Sequence, residues 1–240
     1  MLFVQFNLRP ERCAFVAKKI TFDFFNYQLS TINYLCIMNE RKEIKSVAIF
    51  CGSSAGAHAD YAEGAAELVR VLHKNSVSII TGAGCTGLMG VVADEALKLG
   101  MHITGVVPSF FMNENVVHNG LSELIVTDSM ATRKNIILEK SDACIALPGG
   151  FGTLDELFEV ATAVQLGLQM KPIGLLNTRN YFNALLEMLQ TSVTEKFVRE
   201  DHLKAIVSDV SPEALFDKMI HIGYQAPANW IEKLIQRNHF

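Results

Sequence analysis

Leu147-Pro-Gly-Gly-Phe-Gly-Thr-Leu-Asp-Glu156 is the stretch that decides the fold of this chain. An apolar run, Ala143 to Leu147, stops at Pro148 and gives way to three glycines within four positions. A threonine and two acids follow, then a helical pattern in Leu157, Phe158, Val160, Ala161 and Val164. The order is buried strand, glycine turn, helix N-terminus. Glycine lets the backbone approach an anion closely, and the first N–H groups of a helix have no internal partner. The helix dipole adds roughly half a positive charge at the same spot. Glu156 then stands one turn inside that positive end. Thr153-Leu-Asp-Glu156 also satisfies the capping-box pattern, in which threonine and glutamate serve each other's backbone donors. The local sequence therefore leaves Glu156 open to both a chemical and a structural role.

The chain has 240 residues, enough for one large α/β domain with a sizeable core. Half of its residues are hydrophobic and 19% are charged, which excludes a disordered chain. A net charge of −4 and a sequence pI near 6.0 argue against nucleic acid as a partner, so any phosphate site must be local. Apolar stretches break well before the roughly 18 residues of a membrane span, and no membrane partner is expected. Five cysteines (Cys13, Cys36, Cys51, Cys85, Cys144) form no CxxC pair. They fit thiols in a reducing, cytoplasmic compartment better than a disulfide framework. The seven histidines show no HExxH or Cys/His ligand spacing, so no metal is expected.

Residues 1–37 are rich in Phe and Tyr and lack a clear period. They read as a non-core N-terminal extension, with Met38 a candidate for the true start; no clean apolar run and cleavage site mark a signal peptide. Residues 38–240 read as a single nucleotide-binding domain. Strands are expected at Val47–Phe50, Val77–Ile80, His102–Val107, Glu123–Thr127, Ala143–Leu147 and Pro172–Leu176. Helices are expected over Asp60–Lys74, up to Leu99, over Ala131–Lys140, from Thr153, and near Tyr181–Thr191 and Pro212–Ile222. Continuous apolar strands joined by helices predict a Rossmann-like, doubly wound parallel sheet with helices on both faces.

Glycine turns follow Phe50, Ile80 and Leu147, and in a parallel sheet all three open on the carboxyl edge, where such folds bind ligands. Three on one edge fit a nucleotide-sized site. Gly82, Gly84 and Gly87 match G-x-G-x-x-G in form, yet no acid ends the following strand, which runs into Pro108. A nicotinamide dinucleotide is therefore not expected, and without GxxxxGK[ST] neither is a P-loop triphosphatase.

Cys51-Gly-Ser-Ser, Gly87-Leu-Met-Gly90, Met130-x-x-Arg-Lys134 and Pro148-Gly-Gly-x-Gly-Thr-x-x-Glu156 together resemble the LOG ("Lonely Guy") family. Its members are cytokinin riboside 5′-monophosphate phosphoribohydrolases, often mislabelled as possible lysine decarboxylases. The resemblance spans roughly Lys45 to Thr191 with block order kept. It implies hydrolysis of the N-glycosidic bond of AMP-like nucleotides, N6-prenylated ones included, to free base and ribose 5-phosphate. By position it makes Arg133 and Glu156 the catalytic pair. It assigns Asn115, Lys134, Gly150, Phe151, Gly152, Thr153, Leu154, Asp155 and Thr162 to the substrate. It implies no cofactor and a homodimer with the site near the interface, for which the helix Leu157–Leu168 and the Met89 segment offer apolar surface. Departures from the family pattern fall at Ala131 (usually His), Ala163 (usually Trp) and Asn115 (usually Glu, with Glu114 beside it), and they bear on which base is accepted.

The residues carry this chemistry without the name. Cleaving an N-riboside develops oxocarbenium character that a carboxylate can stabilise, and a gripped phosphate supplies remote binding energy to position the sugar. Arg133-Lys134 has a bland alternative as a solvated basic patch. Two other function classes stay open: a non-catalytic nucleotide or cofactor carrier of the same fold, and a pyridoxal enzyme, although nothing marks a lysine for a Schiff base.

Overall fold

Seven short, mostly buried strands set the architecture of this computed structural model, which describes residues 43–112 and 116–222. They are β1 (Ser46–Phe50), β2 (Ser78–Thr81), β3 (Ile103–Pro108), β4 (Glu123–Thr127), β5 (Ala143–Ala146), β6 (Ile173–Leu176) and β7 (Ile206–Asp209). All pairings are parallel, in the order β4-β3-β2-β1-β5-β6-β7. The expectations on residues 1–37, and on Asn115, lie outside the described residues.

Helices α1 (Asp60–Lys74), α2 (Gly87–Lys98) and α7 (Pro212–His221) cover one face. The other face carries α3 (Met130–Lys140), α4 (Phe151–Gln165) and α5 (Asn183–Thr194), with a single turn, α6 (Glu200–Leu203), before β7. Strand periodicity feeds both layers. Val47 and Ile49 join Leu68, Leu72 and Leu88 in one core, while Ala48 and Phe50 join Ile137, Leu157 and Val160 in the other. The sheet is doubly wound, as its apolar strands require.

The chain moves outward from β1 through β2, β3 and β4, then crosses back to build β5, β6 and β7 on the other side. The loops after β1 and β5 therefore part company, and a crevice opens between them at the carboxyl edge. Ala48 pairs with Cys144 across this switch point. Gly52 N–H donates to the Pro148 carbonyl at 3.2 Å, so the two loops touch at its base.

Two expectations need correction. The helix after β5 begins at Phe151 with Gly150 at its N-cap, two residues before Thr153. Thr153 is thus inside the first turn and buried, and no capping box forms with Glu156. β7 was not expected: four half-buried residues at a sheet edge carry no continuous apolar signal. Along residues 157–168, Leu157 is buried while Phe158 is 44% and Leu168 69% exposed, and Met89 packs partly against the core. Among the described residues, no helix is long and apolar enough to cross a membrane.

Candidate active site

All three glycine turns open into one cleft of about 590 Å³ at the carboxyl edge of the sheet. The β1 turn contributes Cys51, Gly52 and Ser53, and the β2 turn contributes Gly82, Ala83 and Gly84. The start of α4 supplies Gly150 through Thr153, with Asp155 and Glu156 behind them. Val107, Phe111, Val116, Val117, Met89 and Met130 make an apolar wall. The segment after β3 is pinned over the cleft by backbone bonds: Cys85 N–H donates to Val116 and His118 N–H to Ala83.

Arg133 and Glu156 meet here. Ser129 caps α3 by accepting from the Thr132 N–H, which sets Arg133 in the following turn, facing the sheet. Its Nε donates to the Val106 carbonyl at 3.0 Å and its Nη1 to Glu156 Oε1 at 2.7 Å. Arg133 is only 9% exposed, so its charge is committed to the site rather than to solvent. Gly82 explains how it fits: a Cβ there would lie 2.0 Å from Arg133 Nη2. The solvated-patch alternative for Arg133 does not hold.

Burial raises the Glu156 carboxyl above the ordinary carboxylate range, and the neighbouring Arg133 pulls it partly back. Burial also pushes the Cys51 thiol far up, with the Glu156 charge adding to the effect, so the one cysteine on the β1 turn offers no thiolate nucleophile. Besides Ser53, Thr86, Thr153 and Asp155, the cleft holds a buried guanidinium–carboxylate pair close to a helix N-terminus.

Lys134 and Thr162 sit elsewhere. Both line a separate groove between α3 and α4, of about 590 Å³, with Phe158, Leu166 and Leu168. Lys134 Nζ binds Glu159 at 2.6 Å and Asp155 at 3.2 Å, and the Glu159 bond holds the ammonium charged. Thr162 donates back to the Phe158 carbonyl at 2.7 Å. Leu154 packs its side chain against the core instead of the cleft, and its N–H donates to Gly150. Asp155 borders both the cleft and the groove. Sequence reasoning did not anticipate the Val106 carbonyl, Phe111 or the Val116–Val117 wall, because each reaches the site through long-range packing with no local motif. Among the described residues, no group of three or more His, Cys, Asp or Glu side chains is placed to hold a metal ion.

A family model described as "Possible lysine decarboxylase" matches residues 89–219. The cytokinin riboside 5′-monophosphate phosphoribohydrolase LOG1 of Arabidopsis thaliana is 38% identical over 182 residues, covering 76% of this chain and 85% of its own. The probable cytokinin riboside 5′-monophosphate phosphoribohydrolase LOGL3 of Oryza sativa subsp. japonica is 37% identical over 180 residues, covering 75% and 85%. Among solved structures, the molybdenum cofactor binding protein of Rippkaea orientalis aligns with a TM-score of 0.55 at 22% identity, over 79% of this chain and 96% of that one. The molybdenum cofactor carrier protein of Chlamydomonas reinhardtii aligns with a TM-score of 0.53 at 18% identity, over 80% and 98%. These two share the fold.

Proposed function

This chain belongs to the LOG family of cytokinin riboside 5′-monophosphate phosphoribohydrolases, and we propose that it hydrolyses the N-glycosidic bond of AMP-like nucleotides, N6-modified ones included. Water adds its hydroxyl to the sugar carbon and its proton to the departing base, giving free base and ribose 5-phosphate. The observation that carries this reading is the Arg133–Glu156 pair at 2.7 Å, in the cleft that the Gly150–Thr153 turn also lines.

Each residue has a physical part. The N–H groups that open α4 take the 5′-phosphate, aided by the helix dipole. Phosphate binding fixes the sugar, so the anomeric carbon is presented to Glu156 without further loss of freedom. Glu156, ionised with the help of Arg133, stabilises the developing oxocarbenium ion or orients the attacking water. Arg133 also has donors left for ribose hydroxyls. The apolar wall of Phe111, Val116, Val117 and Met130 suits a base with an apolar N6 substituent.

Lysine decarboxylation, the wording of the family model, finds no support in Lys134, whose amine is ion-paired, or in Lys171, which is buried. Lys134 is held charged by Glu159, the wrong direction for a Schiff-base amine, and Lys171 is buried against the Leu138 and Ser141 carbonyls. Neither lines the cleft. A homodimer with the site close to the interface, and a cytoplasmic setting for the thiols Cys51, Cys85 and Cys144, belong to the same proposal. A second copy seated on the α3–α4 groove would give Lys134 and Thr162 the part the family resemblance assigns them.

Chromatography after incubation with AMP and with isopentenyladenosine monophosphate tests the reaction. Free base and ribose 5-phosphate in equal amounts are expected. Saturable binding of both nucleotides with no free base from either would replace the hydrolase by a carrier.

A further inference from the structure

The loop after β6 reaches into the phosphate turn from outside the cleft. Tyr181 Oη donates to the Gly149 carbonyl at 2.5 Å, although the two residues are 32 apart in sequence and lie on different strand-end loops. Tyr181 lines no part of the cleft, whereas Gly150, the next residue after the bonded carbonyl, does. The Gly149 carbonyl and the Gly150 N–H belong to one planar trans peptide, so they point in opposite directions. A hydroxyl that anchors the carbonyl on one side therefore sets the N–H on the other.

Much local structure is devoted to this one side chain. Arg179 and Asn180 just before it have φ of 56° and 60°, a left-handed pair that costs free energy in non-glycine residues. Arg179 Nη1 is tied to Asp60 Oδ2 at 2.6 Å. On the following side, Phe182 is buried and its N–H donates to Asn177 Oδ1 at 2.7 Å. The Tyr181 ring itself is gripped edge-on by Tyr61 and Phe182, with centroids 6.2 and 5.1 Å away. The receiving end is equally restricted. A Cβ on Gly149 would fall 2.1 Å from Thr153 Oγ1 and 2.8 Å from the Gly52 nitrogen, so no larger residue could hold the turn in place by its own packing.

We propose that Tyr181 is a positioning residue for the substrate phosphate: its hydroxyl fixes the Gly149–Gly150 peptide so that the Gly150 N–H is pre-aimed at the anion. The proposal rests on the assignment of the α4 turn to phosphate. It adds a residue outside the four sequence blocks and outside the cleft.

The test compares AMP with adenosine, which differ only in the phosphate, by calorimetry on the wild-type chain and on Tyr181→Phe. The phenylalanine keeps the ring against Tyr61 and Phe182 and removes only the donor. AMP affinity is expected to fall about tenfold, the worth of one ordinary hydrogen bond, with adenosine affinity changed less than about twofold. In turnover the same loss is expected in KM, with kcat nearly kept. Equal losses for AMP and adenosine, or none, would overturn the role of Tyr181. A wild-type chain that binds adenosine as tightly as AMP would instead overturn the phosphate assignment itself, and that comparison needs no variant. A second measurement does not depend on how Tyr181→Phe folds: in the wild-type chain titrated with inorganic phosphate, the Gly150 amide resonance is expected to shift. A Gly150 amide that stays still while neighbouring amides move overturns the proposal.

Discussion

Glu156 feels two opposed influences, and the balance decides how it should respond to pH. Burial favours its neutral form and the Arg133 guanidinium favours the charged one, with burial the larger cause. A folded-state pKa above the unfolded value means that stability from this group is present at low pH and lost as pH rises through the raised pKa. Ionised Glu156 therefore contributes no net stability near neutrality, which is the mark of a group retained for chemistry. Glu156→Gln should keep the Arg133 contact through its amide oxygen and leave the melting temperature close to wild type. Turnover should fall by about 10²–10⁴, the usual worth of a positioned acid or base. The wild-type profile of kcat/KM should show an acid limb above the ordinary carboxylate range, with activity rising as Glu156 ionises, and the variant should lack that limb. A destabilised but fully active Glu156→Gln would remove the carboxylate from the mechanism.

The elements show which parts of the site were legible in the sequence. Gly82, Gly150 and the Arg133–Lys134 pair stand in motifs and could be found by reading along the chain. The direction each side chain takes could not: Arg133 and Lys134 are neighbours on α3, yet one enters the cleft and the other the α3–α4 groove, because successive helical residues are about 100° apart. The register of α4 was also hidden, since Thr153-x-x-Glu156 fits a helix start that the earlier glycine, Gly150, pre-empts. β7 escaped because edge strands need little apolar surface. Two substitutions test how the elements divide their work. Gly82→Ala would force the Arg133 guanidinium away from Glu156, and a displacement of that size should cost about 10²-fold in kcat/KM with the fold kept. Lys171→Met should do the reverse. The buried Lys171 ammonium donates to the Leu138 and Ser141 carbonyls at the far end of α3, so its loss should lower stability in urea by about 1–3 kcal/mol. Turnover per folded molecule should be nearly unchanged. A Gly82→Ala chain as active as wild type would mean that the guanidinium does not need its present position.

At the scale of the molecule, the α3–α4 groove is the surface that the fold leaves unexplained. Phe158 is 44% exposed and Leu168 69% exposed, both on the same groove, while Lys134, Asp155 and Glu159 form a charged network at its polar side. An exposed apolar patch rimmed by charge is the common signature of an association surface. A twofold dimer uses the same patch on both copies, so one substitution is felt twice across the axis. Leu168→Glu would set two carboxylates against each other on the apolar part of the proposed interface, without altering any residue that lines the cleft. Sedimentation at micromolar concentration should show a dimer for the wild-type chain and a monomer for Leu168→Glu. If the groove completes the site, the monomeric variant should also lose turnover while its melting curve stays cooperative. A wild-type monomer with full activity would reject the dimer and leave Lys134 and Thr162 without a part in binding. A dissociated yet fully active Leu168→Glu would keep the dimer but confine the chemistry to the Arg133–Glu156 cleft of a single copy.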